Sequence, residues 1–137
     1  MADKLEFELV SPAGLVLSRA VDMVVVPGAE GDMGILASHA PAITAVRPGT
    51  VAVMDEGAVT DRYFVAGGVA EVTAERCTVL AEEAIELDEI DRALTERQAA
   101  DSREDLATAS DEAERARAAL NLAVAEAKLE AVDTQIY

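Results

Sequence analysis

The sequence changes its grammar at Gly68. All eight glycines and all four prolines lie at or before that residue, and the 69 residues that follow contain neither. Glycine and proline punctuate short strands and turns, while their absence permits long uninterrupted helices. A protein of 137 residues with this asymmetry reads as one small β domain with a helical appendage. We draw the boundary between residues 1–86, a β-sandwich, and residues 87–137, a two-helix hairpin, giving an α+β class.

Within the first part, Leu5, Phe7 and Leu9 alternate with Glu6 and Glu8, the pattern of a half-buried strand. Ser11-Pro12-Ala13-Gly14 makes a turn, and residues 21–26 form an apolar strand closed by Pro27-Gly28. Residues 42–46 and 50–54 flank the turn Arg47-Pro48-Gly49, and residues 59–65, 69–73 and 77–81 complete the series. Strands this short, with turns about every ten residues, predict an antiparallel sandwich or flattened barrel. Aromatic residues make up 3% of the sequence, so Val, Leu, Ile and Ala must fill its core.

The second part has helical periodicity. Asp88 is placed to cap a first helix, with Asp91 three residues on and a thin stripe of Leu87, Ile90 and Leu94. Residues 100–105 lack a stripe and are expected to hold the bend. Ser110 or Asp111 caps a second helix, in which Ala113, Ala116, Leu120, Val124, Ala127 and Ala131 recur at helical spacing, with Leu122, Leu129 and Val132 beside them. Two helices joined by a short polar link make an antiparallel hairpin. Its seam is mostly alanine. Each buried CH₂ is worth about 0.8 kcal/mol, so this seam holds less firmly than a leucine seam would. Alanine also favours the helix itself, which would let the helices persist while the hairpin moves; permanent packing is the alternative.

Several functions are disfavoured. The formal charge of −16 repels phosphate backbones and anionic lipid. It suits a partner with basic patches, or serves solubility alone. No run of 18 apolar residues occurs and no apolar leader is evident at the N-terminus, so neither direct lipid insertion nor secretion is expected. Cys77 is the single cysteine and reads as a small buried hydrophobe on a strand. His39 is the single histidine, which leaves no intrachain Ser-His-Asp set or two-His metal site; a structural role is the simpler account. Gly28, Gly31 and Gly34 mimic a phosphate loop, but no lysine is near and no helix follows. We therefore expect no catalytic residues, no metal and no cofactor.

The stretch Pro27-Gly28-Ala29-Glu30-Gly31-Asp32-Met33-Gly34-Ile35-Leu36-Ala37-Ser38-His39-Ala40-Pro41 closely resembles the signature of the epsilon-subunit family of F-type ATP synthases. Phe7-Glu8-Leu9-Val10-Ser11-Pro12, Arg47-Pro48-Gly49, Val65-Ala66-Gly67-Gly68-Val69-Ala70-Glu71-Val72 and Val79-Leu80-Ala81-Glu82-Glu83-Ala84 match further family segments in order. The resemblance covers nearly the whole sequence. It implies a ten-stranded sandwich that clamps the gamma subunit and rests on the c-ring, passing ring rotation to the shaft. It also implies a peripheral place on the cytoplasmic face of the bacterial inner membrane. Glu30, Asp32 and His39 become the candidate ring or shaft contacts. A free-standing sandwich module with a helical tail is the competing reading, and a small-molecule-binding or enzymatic domain a third.

The same resemblance implies a hairpin that meets the alpha/beta catalytic head transiently and blocks hydrolysis, and that in some members binds ATP through [IL]-D-x-x-R-A. Here the corresponding residues are Asp111-Glu112-Ala113-Glu114-Arg115-Ala116. Arg115 and Ala116 match, whereas Asp111 and Glu112 depart from the motif and add negative charge against a triphosphate. Glu112, Arg115 and Ala116 are thus a weak nucleotide-site candidate. Residues 86–137 carry 14 acids against 6 bases, a net of −8. Such a surface meets acidic loops of a catalytic head at a cost, so inhibition is expected to be weak.

Overall fold

The computed structural model describes residues 3–134. Its contacts divide the protein into two compact units, the first ending at Leu87 and the second beginning at Asp88.

The first unit holds ten strands: β1 Leu5–Ser11, β2 Gly14–Val21, β3 Met23–Gly28, β4 Gly31–Leu36, β5 Ala42–Val46, β6 Gly49–Asp55, β7 Ala58–Val65, β8 Gly68–Val72, β9 Arg76–Ala81 and β10 Ala84–Glu86. They hydrogen-bond in the order β10-β7-β6-β3-β5-β8-β9-β1-β2, with β4 also paired to β3. Where β3 meets β5 only Gly28 and Val46 pair, and there the sheet folds on itself. One layer is then β10-β7-β6-β3-β4 and the other β5-β8-β9-β1-β2. Inner faces of both layers supply the core, in which Leu5, Phe7, Leu9, Val24, Val26, Val51, Val53 and Val79 are fully buried. Each such side chain stabilises the fold by roughly 1.5–3 kcal/mol. The expected sandwich is therefore present, filled mostly by valine. One pairing among the described residues departs from the antiparallel expectation: β1 lies parallel to β9, Glu6 opposite Arg76 through Val10 opposite Leu80.

Sheet-switching corners explain where the strand reading fell short. The apolar run 21–26 is broken at Asp22, where the backbone passes from β2 in one layer to β3 in the other. Both flanking residues are apolar, so the break is silent in the sequence. Strand β2 has mixed character, β4 carries the glycine run, and β10 is three residues long, which hid all three from an alternation count. The Gly67-Gly68 corner between β7 and β8 also switches layers. Gly68 has φ +146°, and a Cβ there would lie 2.0 Å from the Leu80 carbonyl oxygen. Only glycine fits.

The second unit begins with a single 3₁₀ turn, Leu87–Glu89, followed by α1 Arg92–Thr108 and α2 Glu112–Asp133, which pack on one another. The cap of α1 is Asp91 and not Asp88: its carboxylate accepts from Leu94 N at 3.0 Å. The 3₁₀ turn occupies the place where the helix was expected to start. No bend occurs at 100–105. Helix α1 runs through that stretch because its buried stripe is Thr95, Ala99 and Ser102, small residues that an apolar count passes over. The connection is instead residues 109–111, where Asp111 caps α2 by accepting from Glu114 N at 2.8 Å. In α2 the expected stripe holds in its second half, where Val124, Ala127 and Ala131 are half-buried beside Leu122 and Leu129, but Ala113, Ala116 and Leu120 are exposed and the fully buried residues are Ala118 and Ala125.

Candidate functional site

The β5-β8-β9-β1-β2 layer turns an unusual outer face to solvent. Cross-strand register aligns Ala45 with Val69, Val69 with Leu80, Leu80 with Val10, and Val10 with Leu15. An apolar row thus crosses all five strands. Leu15, Val69 and Leu80 on it are 62%, 39% and 45% exposed, and the neighbouring Ile43 is 77% exposed. Single exposed apolar residues are ordinary, but a contiguous row marks an interaction surface. The adjoining row runs Ile43, Glu71, Thr78, Glu8 and Ser18. Within it Glu8 accepts from Arg76 Nη1 at 2.6 Å and is 3.5 Å from Thr78 Oγ1.

Beside this face stands the β3–β4 hairpin. Pro27 opposes Asp32 and Gly28 opposes Gly31, leaving Ala29 and Glu30 as the turn. Arg47 fixes its base. One guanidinium nitrogen donates to Asp32 Oδ1 at 2.6 Å and another to the Gly28 carbonyl at 2.5 Å. A Cβ at Gly28 would come within 2.8 Å of the Gly31 carbonyl oxygen, so the strands close tightly there. A groove of about 540 Å³ separates the tip from β5, lined by Glu30, Asp32, Met33, Ile43 and Ala45 among others. The acidic tip and the apolar row are therefore neighbours.

Of the three expected contacts, Glu30 and Asp32 come together at this tip. His39 does not join them. It lies past the far end of β4, about 20 Å of extended strand away, in the corner leading to β5. Its backbone N–H donates to the Leu36 carbonyl, and its Nδ1 lies 2.7 Å from the Ala40 carbonyl oxygen. Ser38, at φ 70°, makes the turn and donates to the Ala74 carbonyl at 2.6 Å.

In the hairpin, Glu112, Arg115 and Ala116 occupy the first turn of α2 and are all exposed. Spacings of three and four residues put them on one side of the helix. A shallow groove of about 240 Å³ near the connection is lined by Asp105, Thr108, Glu114, Arg117 and Asn121, and by none of those three residues. Glu114 accepts from the backbone and hydroxyl of Ser110, each at 3.0 Å, and these bonds lower its pKa.

Both units match known families. Residues 4–87 match the beta-sandwich domain of the ATP synthase Delta/Epsilon family, and residues 91–136 match the C-terminal domain of the ATP synthase epsilon family. The ATP synthase epsilon chain of Paramagnetospirillum magneticum is 53% identical over 132 residues, 96% of this protein and 99% of that one. That of Rhodospirillum centenum is 51% identical over 140 residues, 98% of this protein and 96% of that one. The chain belongs to the ATP synthase epsilon family. A subunit in the cryo-EM structure of the Euglena gracilis mitochondrial ATP synthase, OSCP/F1/c-ring, superposes with a TM-score of 0.80 at 26% identity, covering 93% of this protein and 80% of that one. A subunit in the Tetrahymena thermophila mitochondrial ATP synthase central stalk/c-ring structure shares the fold, with a TM-score of 0.66 at 14% identity, covering 96% of this protein and 98% of that one.

Epsilon subunits are non-catalytic, and the remaining polar clusters of this one have structural explanations. Asp22, Asp55 and Glu56 gather their carboxylates within 4.8 Å, but Lys4 Nζ already sits among them, at 2.9, 2.5 and 3.3 Å. Its hydrogen bonds to Asp55 and Asp22 raise the lysine pKa, and the Asp22 pKa is lowered by Lys4 and by the Glu56 N–H. The cluster ties Lys4, just before β1, to the β2–β3 corner and the β6–β7 turn. Cys77 is fully buried in the core, and burial pushes its thiol up to about 12. No helix among the described residues is long and apolar enough to cross a membrane. Residue-by-residue reading also missed the apolar row. Val10, Leu15, Val69 and Leu80 sit at the outward positions of their strands, and only the register across five strands shows them to be continuous.

Proposed function

We propose that the sandwich is a torque-coupling body of the synthase rotor. It grips the gamma subunit through the outer face of the β5-β8-β9-β1-β2 layer and rests on the c-ring through the acidic β3–β4 tip. The observation that carries this reading is the outward-facing apolar row Ala45, Val69, Leu80, Val10 and Leu15, exposed at all but the half-buried Val10. An apolar row stays in contact with an axle by excluding water. The pinned tip carrying Glu30 and Asp32 suits approach to polar loops of a ring, while His39, beside β5, belongs with the shaft-facing side. On this reading the protein works at the cytoplasmic face of the inner membrane and is held there by its partners.

The test is binding of the full-length protein to a synthase head that retains its shaft but lacks this subunit. Leu80→Asp should weaken binding by at least about tenfold, with the circular dichroism and melting of the free protein unchanged. Unaltered affinity would remove the basis for the proposal.

The hairpin is, in the same reading, a weak inhibitor of ATP hydrolysis that takes up no nucleotide. Its net charge of −8 over residues 86–137 supports this, because an acidic surface docks poorly on acidic loops. Truncation from Leu87 onward should leave synthesis largely intact and raise hydrolysis by less than about twofold. A rise of tenfold or more, or calorimetric uptake of ATP in the micromolar range by the full-length protein, would refute it.

A further inference from the structure

Glu71 sits where a docking partner has to answer it. On the outer face its cross-strand neighbours are Ile43 on β5 and Thr78 on β9, and Val69 precedes it on the same side of β8. It is exposed, and its carboxylate makes no hydrogen bond or ion pair with any described residue. Glu8, two strands away in the same row, is already answered by Arg76 at 2.6 Å. Glu71 is thus a lone carboxylate beside the apolar row, hemmed by Ile43 and Val69.

In the free protein water solvates this charge. Once the row is covered, that water is lost, and an unpaired carboxylate beside a dehydrated apolar contact is costly. A partner that docks here tightly therefore supplies a compensating cation. Thr78 offers only a hydroxyl, and Arg76 is committed to Glu8. We infer that the rotor subunit covering this face presents a lysine or arginine opposite Glu71, so that Glu71 sets which shaft surface is accepted and in what register. The inference rests on the proposed docking of the shaft on this layer; it adds the chemistry of the partner surface.

Full-length proteins carrying Glu71→Gln, Glu71→Lys and Leu80→Asp would be titrated into the shaft-bearing head lacking this subunit, at about 0.05 M and about 0.5 M salt. Glu71→Gln is expected to lower affinity about tenfold at low salt, and Glu71→Lys more, with the Gln deficit shrinking at high salt. Both positions face solvent in the free protein, so melting temperatures should not move. If Leu80→Asp abolishes binding while Glu71→Gln binds like the parent at both salts, the face is correct and the cation inference is wrong. If Leu80→Asp binds normally, the docking reading itself fails, and the inference with it.

Discussion

Arg47 and Asp32 lock the β3–β4 hairpin: the guanidinium donates to the carboxylate at 2.6 Å while its other arm holds the Gly28 carbonyl at 2.5 Å. The Arg47 backbone N–H adds a bond to the Pro27 carbonyl at 2.9 Å. One residue thereby fastens the base of the acidic tip from both strands.

Arg47→Ala should cost the sandwich about 1 kcal/mol, in the range of a charge-assisted hydrogen bond at a partly exposed site. Amide exchange across residues 28–34 should quicken while exchange in β1 and β9 stays unchanged. Uniform acceleration would show that Arg47 serves the whole fold and not the tip.

A second arginine closes the helical unit. Arg92, the first residue of α1, meets Asp133, the last of α2, through Nε at 2.9 Å and Nη2 at 2.7 Å, and also pairs with Glu96. These bonds lower the Asp133 pKa. A depressed carboxylate contributes stability that is present above the ordinary aspartate pKa of about 4 and is lost as pH falls through the folded value. The clasp should therefore hold throughout the neutral range and release only in acid. Asp133→Asn should fray the last turn of α2, read by amide exchange, and high salt should do the same to the parent. Equal protection in both proteins at low salt would count against a clasp.

Gly68→Ala forces a side chain onto φ +146° and within 2.0 Å of the Leu80 carbonyl oxygen. Strain of this kind costs on the order of 3 kcal/mol. The melting temperature of the sandwich should fall sharply, whereas Gly57→Ala at the exposed β6–β7 turn, with nothing within 4 Å, should cost about 1 kcal/mol. Similar losses at both sites would contradict the crowding described for the corner.

Cys77 offers a probe of global opening. With its thiol pushed up to about 12 by burial, the folded protein should resist thiol reagents at pH 8 and react only as it unfolds. Because the folded pKa lies above that of the unfolded state, the sandwich keeps this contribution below about pH 9. It loses it as pH rises toward 12, by about 1.4 kcal/mol per pH unit. Rapid labelling of the native protein would overturn the assignment.

Much of this was legible in the residues. Leu5, Phe7 and Leu9 declared β1 by strict alternation, and the lack of glycine and proline after Gly68 declared the helices. What stayed hidden shares a physical cause: it depends on neighbours distant in sequence. Asp22 breaks a strand because two layers meet there. Thr95 and Ser102 are buried because small residues line the packed stripe of α1, and Arg47 reaches Asp32 only after β3, β4 and β5 have assembled. Glu30 and Asp32 were placed together by proximity along the sequence, but His39, close in sequence, was carried off by a straight β4.

The parallel pairing of β1 with β9 joins Glu6 to Arg76, so the layer holding the first strand cannot close until most of the sandwich has emerged from the ribosome. Hairpins such as β3–β4 and β6–β7 can form early and locally, but the step that commits the fold closes a loop of about seventy residues, and such non-local closure is slow. A nascent polypeptide halted before β9 would expose the flank of β1 as an unpaired edge, open to pairing with another molecule.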